Sequence, residues 1–86
     1  MSYSVEYESE ALADLEKLTQ TMRDRVINKI AWLTENFDQI TPQTLTADLS
    51  GFFKLRVGDY RVIYEFSRDD RVIFIDRIRH RREVYD

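Results

Sequence analysis

The chain contains no cysteine, one histidine, one proline and two glycines among its 86 residues. Without cysteine there is neither a disulfide framework nor a thiolate metal site, which agrees with a reducing, cytoplasmic setting. With His80 as the sole imidazole, a multi-histidine metal centre is excluded, and a nucleophilic triad would have to use that one ring. Long apolar runs are missing, and residues 1–6 carry no basic stretch, so neither a spanning helix nor a signal peptide is expected. Repeats, low-complexity segments and linkers are also missing. The length suits one small domain, residues 1–86.

Net charge is −3, which at first sight disfavours a polyanionic ligand. Its distribution reverses that impression. Residues 1–50 hold four bases against nine acids, whereas residues 51–86 hold nine bases against seven acids, and eight of those nine are arginine. Local field rather than total charge decides where an anion docks. Arginine's planar fork favours bidentate contact with phosphate or carboxylate.

Alternation over residues 3–8 predicts a strand with Tyr3, Val5 and Tyr7 inward. Ser9 is a suitable N-cap for a short helix with apolar positions Ala11, Leu12, Leu15 and Leu18. After a break near Thr19 and Gln20, Thr21 and Asp24 form a weak relative of the capping box. Met22, Val26, Ile30, Leu33 and Phe37 then recur at steps of four and three, with Ile27 widening the stripe and Trp32 off it. These two amphipathic segments predict an antiparallel helical hairpin. Residues 36–48, with Pro42 and several threonines, read as a loop.

The remainder predicts strands over 54–57, 60–67 and 71–78. Gly58-Asp59 is a two-residue hairpin loop, and glycine in first place suits a type II′ turn. The fold class is α+β: an N-terminal strand, then a helical hairpin packed on a largely antiparallel sheet that ends in a three-stranded meander. The apolar run Val72–Ile75 predicts burial of the last strand on both faces.

A two-residue loop fixes the register, so Val57 opposes Tyr60, Arg56 opposes Arg61 and Lys54 opposes Ile63. Phe53, Leu55, Val57, Tyr60, Val62, Tyr64 and Phe66 then share the face beneath the helices. Lys54, Arg56 and Arg61 share the other. Like charges set opposite each other weaken a sheet. Either that face is solvated and balanced by Glu65, Asp59 or Asp76, or it receives an anion. The 68–70 loop leaves the last strand's register open, and with it whether Asp76 or Arg77 joins the cations. Beyond that strand lie Arg79, His80, Arg81, Arg82 and Tyr85. Metal-free RNA cleavage needs a base at the 2′-OH, cations around the phosphate and a donor to the leaving 5′-oxygen. His80 titrates in the right range unaided, and neighbouring cations favour ionised Tyr85 and neutral Lys54.

The order strand, helical hairpin, then the Lys54–Tyr64 motif KLRVGDYRVIY and the closing His80–Tyr85 motif HRREVY, resembles the RelE/ParE superfamily of type II toxins, RelE-like branch, over essentially the whole chain. The resemblance implies a RelE-like fold and a ribosome-dependent mRNA endoribonuclease that needs no metal or other cofactor. It matches Lys54, Arg61, Arg81 and Tyr85 to the family's active-site positions, with Arg82 as the alternative to Arg81 and His80 as a further acid or base. Arg56, Arg77, Arg79 and Arg82 become candidate RNA contacts. Phe52 stands where the family pattern has a further lysine. Implied partners are a RelB-like antitoxin and mRNA in the ribosomal decoding site, with no membrane. The hetero-oligomeric toxin–antitoxin complex would bind its own operator DNA through the antitoxin. The ParE-like alternative is a gyrase inhibitor on the same fold, and a third reading is a degenerate toxin that only binds its antitoxin.

Overall fold

The elements follow the period of the sequence closely. The computed structural model describes residues 2–45 and 51–84. Strand β1 (Ser4–Tyr7) leads into helices α1 (Ser9–Glu16) and α2 (Gln20–Asn36) and a 3-10 turn (Phe37–Gln39); strands β2 (Gln43–Thr44), β3 (Phe53–Val57), β4 (Tyr60–Ser67) and β5 (Val72–His80) follow, then a 3-10 turn (Arg81–Glu83). The five strands form one sheet in the order β1-β5-β4-β3-β2. Every neighbouring pair is antiparallel except β1 with β5, which is parallel. The short edge strand β2 lies within the segment expected to be a loop.

Two helix starts differ from the sequence expectation. Glu8, not Ser9, is the N-cap of α1 and makes no side-chain capping bond. At α2 the cap is Thr19, whose hydroxyl accepts from the Met22 N–H at 3.3 Å, so Thr21 already lies inside the helix. Arg23 closes the corner between the helices. Its Nε donates to the Leu15 carbonyl (3.0 Å), which also accepts the Leu18 N–H, and its Nη2 to the Leu18 carbonyl (2.9 Å) just past the end of α1.

The core lies between the helices and one sheet face. Ala11, Leu15, Val26, Ile30, Leu33 and Phe37 meet Val57, Val62, Tyr64, Ile73, Ile75 and Ile78, and Phe53, Leu55, Tyr60 and Phe66 pack at the margin. Phe37 is the hub of the aromatic packing, with ring centroids 4.9 Å from Tyr3 and 4.7 Å from Phe66. Leu12 and Ile27, counted as core positions from periodicity, are exposed instead. On β5, Ile73 and Ile75 are fully buried while Val72 and Phe74 are only partly so, no second layer covering the outer face there among the described residues.

Gly58 has φ +58° and is the only residue of its two-residue loop with positive φ, as a type II′ turn requires. The observed pairs Val57↔Tyr60, Arg56↔Arg61 and Lys54↔Ile63 follow from that turn. The β4–β5 loop has four residues, 68–71, and Arg71 takes the left-handed conformation at φ 54°. A bulge in β5 sets Ile63 opposite Arg77 and Tyr64 opposite Ile75, leaving Asp76 as the extra residue. The bulge answers the question left by the loop: Asp76 and Arg77 both reach the outer face, where they line one depression with Ile63 and Glu65.

Candidate functional site

Two rows of side chains cross the outer face. Arg56, Arg61 and Arg79 are partners along one row; Gln43, Lys54, Ile63 and Arg77 make the next. Where the rows adjoin, a depression of about 290 Å³ is lined by Gln43, Lys54, Arg56 and Arg61, with no carboxylate among its described walls. Three cations and an amide facing one hollow can receive an anion.

The cations are held differently. Arg61 is only 4% exposed, and its Nη1 donates to the carbonyls of Gly58 (3.1 Å) and Tyr60 (3.0 Å). Its charge therefore sits at a fixed point. Arg56 is exposed beside it, and Lys54 is half-buried. On the same face, Ile63 packs with Leu45 and Val84 in a small second apolar cluster, with Phe52 against it. Phe52 thus fills an apolar role where the family pattern carries a cation.

The closing segment contributes unevenly. Arg79 shares the row of Arg61 and pairs with Glu83 at 3.2 Å. The Arg81 N–H donates to the Asp59 carbonyl (2.7 Å), and its Nε lies 3.7 Å from the Asp59 carboxylate, both side chains being exposed. Arg82 is exposed. Tyr85 lies outside the described residues.

Two expected site residues have other engagements. His80 pairs with Tyr60, on the helix-facing side, and the two rings meet edge to face at 5.3 Å. Its Nδ1 accepts from the Arg82 N–H (3.3 Å) and its own N–H donates to Glu83 (3.0 Å), so it caps the 3-10 turn. Strand alternation sets it on the opposite face from Arg61. Arg77, expected as an RNA contact, grips Asp14 of α1 through Nε (2.9 Å) and Nη2 (3.3 Å) and reaches Glu10 through Nη1 (3.2 Å). Asp14, 8% exposed, also accepts the Ile78 N–H at 2.9 Å, where β1 has ended and the β5 edge would otherwise lack an acceptor. Burial raises the Asp14 pKa, but the Arg77 and Ile78 hydrogen bonds and the charges of Arg77 and Arg79 outweigh it and hold the carboxyl below its usual range.

At the far end the field changes sign. Glu8, Glu10, Glu65 and Asp76 line a depression of about 480 Å³ with Phe52 and Arg77. Burial, helped by a hydrogen bond with Glu65 and by the charges of Glu65, Glu8 and Glu10, pushes the Asp76 pKa up to about 7. Its Oδ2 is buried and has no donor among the described residues; a proton on Asp76 turns that carboxyl into a donor.

The sequence reading missed Gln43, because β2 was read as loop, and the acidic end, because the bulge could not be foreseen. It also passed over Arg25 and Lys29, although their i,i+4 spacing and Trp32 three residues on mark one helix side.

Residues 5–85 match the family described as the ParE toxin of type II toxin–antitoxin systems, parDE. The chain belongs to that family. The toxin is 27% identical over 85 residues to Toxin RelG of Mycobacterium tuberculosis, covering 99% of this chain and 98% of the relative. Its structure resembles the toxin–antitoxin complex RelBE2 from M. tuberculosis, with TM-score 0.82 and 26% identity over 93% of this chain and 99% of the other. The archaeal RelE–RelB complex from Pyrococcus horikoshii follows with TM-score 0.74 and 27% identity over 94% and 97%. The toxin is a RelE/ParE superfamily member with a RelE-like α+β fold. Among the described residues no helix is long and apolar enough to cross a membrane.

Proposed function

We propose that the toxin is a ribosome-dependent mRNA endoribonuclease acting in the cytoplasm. The observation that carries this reading is the hollow walled by Gln43, Lys54, Arg56 and Arg61. In the reaction the 2′-oxygen attacks the adjacent phosphorus while the bond to the 5′-oxygen breaks. The 2′-proton passes to a base and a second proton goes to the leaving oxygen, leaving a 2′,3′-cyclic phosphate and a 5′-hydroxyl. Arg61 and Arg56 hold the phosphate and the charge that builds on it, with Arg81 closing from the C-terminal side. Lys54 and Tyr85 move the protons; His80 serves the fold by capping. So small a set suffices if the ribosome orients the substrate, since orientation lowers a barrier by roughly 7–11 kcal/mol.

Relatives with known structures include RelBE complexes, which supports a RelB-like antitoxin as partner. That complex would carry its operator-binding part on the antitoxin. The test is to express the toxin without an antitoxin and map mRNA ends: cuts within translated codons ending in cyclic phosphate are expected. The ParE-like alternative, inhibition of DNA gyrase, is the other reading, since the matched family bears the ParE name. Intact mRNA together with lost supercoiling activity in a purified gyrase assay would establish it instead.

A further inference from the structure

Arg25, Lys29 and Trp32 follow one another at i, i+4 and i+7 on α2, the spacing of a single helix side. That side borders β3 where β2, which pairs only with Phe53 and Lys54, no longer covers the edge. Arg25, Lys29, Trp32, Arg56 and Gly58 are among the walls of a cleft of about 460 Å³ there. A second hollow of about 260 Å³ shares Lys29, Trp32 and Arg56 with this cleft and Gln43, Lys54 and Arg56 with the cation-lined hollow, its remaining walls including Ile40, Leu55 and Tyr64. Arg56 borders all three depressions, and no carboxylate lines any of them among the described residues.

The side chains are built for an outside anion. Arg25 and Arg56 are exposed, and neither they nor Lys29 form an ion pair among the described residues. The Arg25 guanidinium lies over Gly58, 3.3 Å from where a Cβ would be, so the glycine leaves it room. Trp32 is 42% exposed, with the Lys29 ammonium 4.0 Å from its ring centroid. A polyanion whose phosphate sits at Arg56 and Arg61 is repelled toward Glu8, Glu10, Glu65 and Asp76 and attracted toward Arg25 and Lys29.

We propose that the α2–β3 cleft is a track for single-stranded RNA, holding nucleotides that flank the phosphate at Arg56. Arg25 and Lys29 bind backbone phosphates, and the exposed ring of Trp32 lies against a base or ribose. The proposal rests on the nuclease reading of the adjoining hollow. RNA is favoured over an acidic protein segment by continuity of charge, since Arg56 walls both the cleft and the cation-lined hollow.

The test uses full-length toxin and uncleavable 2′-O-methyl RNA of three and of ten nucleotides, followed by anisotropy and by fluorescence of Trp32, the chain's sole tryptophan. The ten-mer is expected to bind wild type more tightly than the trimer and to change the Trp32 signal. In Arg25→Gln/Lys29→Gln that advantage disappears, while trimer binding and the urea midpoint stay unchanged. For single strands the slope of log K against log salt is about −0.7 per phosphate contact, so two lost contacts reduce it by about 1.4. An unchanged length advantage and salt slope in the double variant would overturn the track. So would a decaglutamate peptide that needs Arg25 and Lys29 when the ten-mer does not. Mapping of mRNA ends in cells tests the nuclease reading separately, so a failure of one is not mistaken for a failure of the other.

Discussion

Arg56 and Arg61 stand directly opposite each other across β3 and β4, yet one is exposed and the other is 4% exposed. The difference separates binding from folding. Arg56→Ala should lower mRNA cutting about 10²–10³-fold, the usual loss for one charge-stabilising donor. Its stability should stay within about 0.5 kcal/mol of wild type, as for most surface changes. Arg61→Ala should lose both, because the Gly58 and Tyr60 carbonyls lose their donor. Full cutting activity in Arg56→Ala would place the phosphate elsewhere.

Asp14 ties α1 to β5 through Arg77 and the Ile78 N–H. Asp14→Ala leaves both donors without their acceptor and should cost about 1.5–3 kcal/mol, the range for hydrogen bonds to charged groups. Urea denaturation reads this directly. The Asp14 carboxyl also titrates below its usual range, so its contribution is complete above the unfolded pKa and is lost as pH falls through the folded one.

Asp76 has the opposite sign. Its folded pKa of about 7 exceeds the unfolded value of about 3.9, so the native state holds the extra proton between them. Stability should therefore fall as pH rises from about 4 to about 7. In Asp76→Asn that slope should flatten and the urea midpoint at pH 8 should rise above wild type. Identical pH profiles for the two proteins would remove Asp76 as the titrating group.

Gly58 needs its left-handed φ of +58°. Gly58→Ala should cost about 1–2 kcal/mol for that conformation alone. The new methyl also crowds the Arg25 guanidinium at 3.3 Å, so the Arg25 side chain must shift. Thermal unfolding measures the first effect; comparing Gly58→Ala with Gly58→Ala/Arg25→Ala isolates the second.

The hairpin was legible because one local device, Gly58 in a two-residue loop, fixes every pair from Val57↔Tyr60 to Lys54↔Ile63. The core stripe of α2 was legible because Val26, Ile30 and Leu33 repeat at helical spacing. Tertiary facts were not. Leu12 and Ile27 look like core until packing leaves them exposed. Arg77 looks like a phosphate ligand until a bulge at Asp76 and a carboxylate 63 positions earlier claim it. His80 has the right chemistry, but strand alternation puts it on the other face.

The parallel pairing of β1 with β5 also bears on the order of assembly. Ser4 meets Val72 across nearly the whole sequence, whereas β3, β4 and β5 are joined by loops of two and four residues. Closing a short loop is quick, and a contact between distant parts of the chain must wait for it. The meander that carries Arg56, Arg61 and Arg79 can therefore form as an early unit, and β1 is the late arrival that seals it. Transient opening follows the reverse route. The N-terminal strand would peel away first and leave the arginine row briefly standing on a sheet with its β5 edge unpaired.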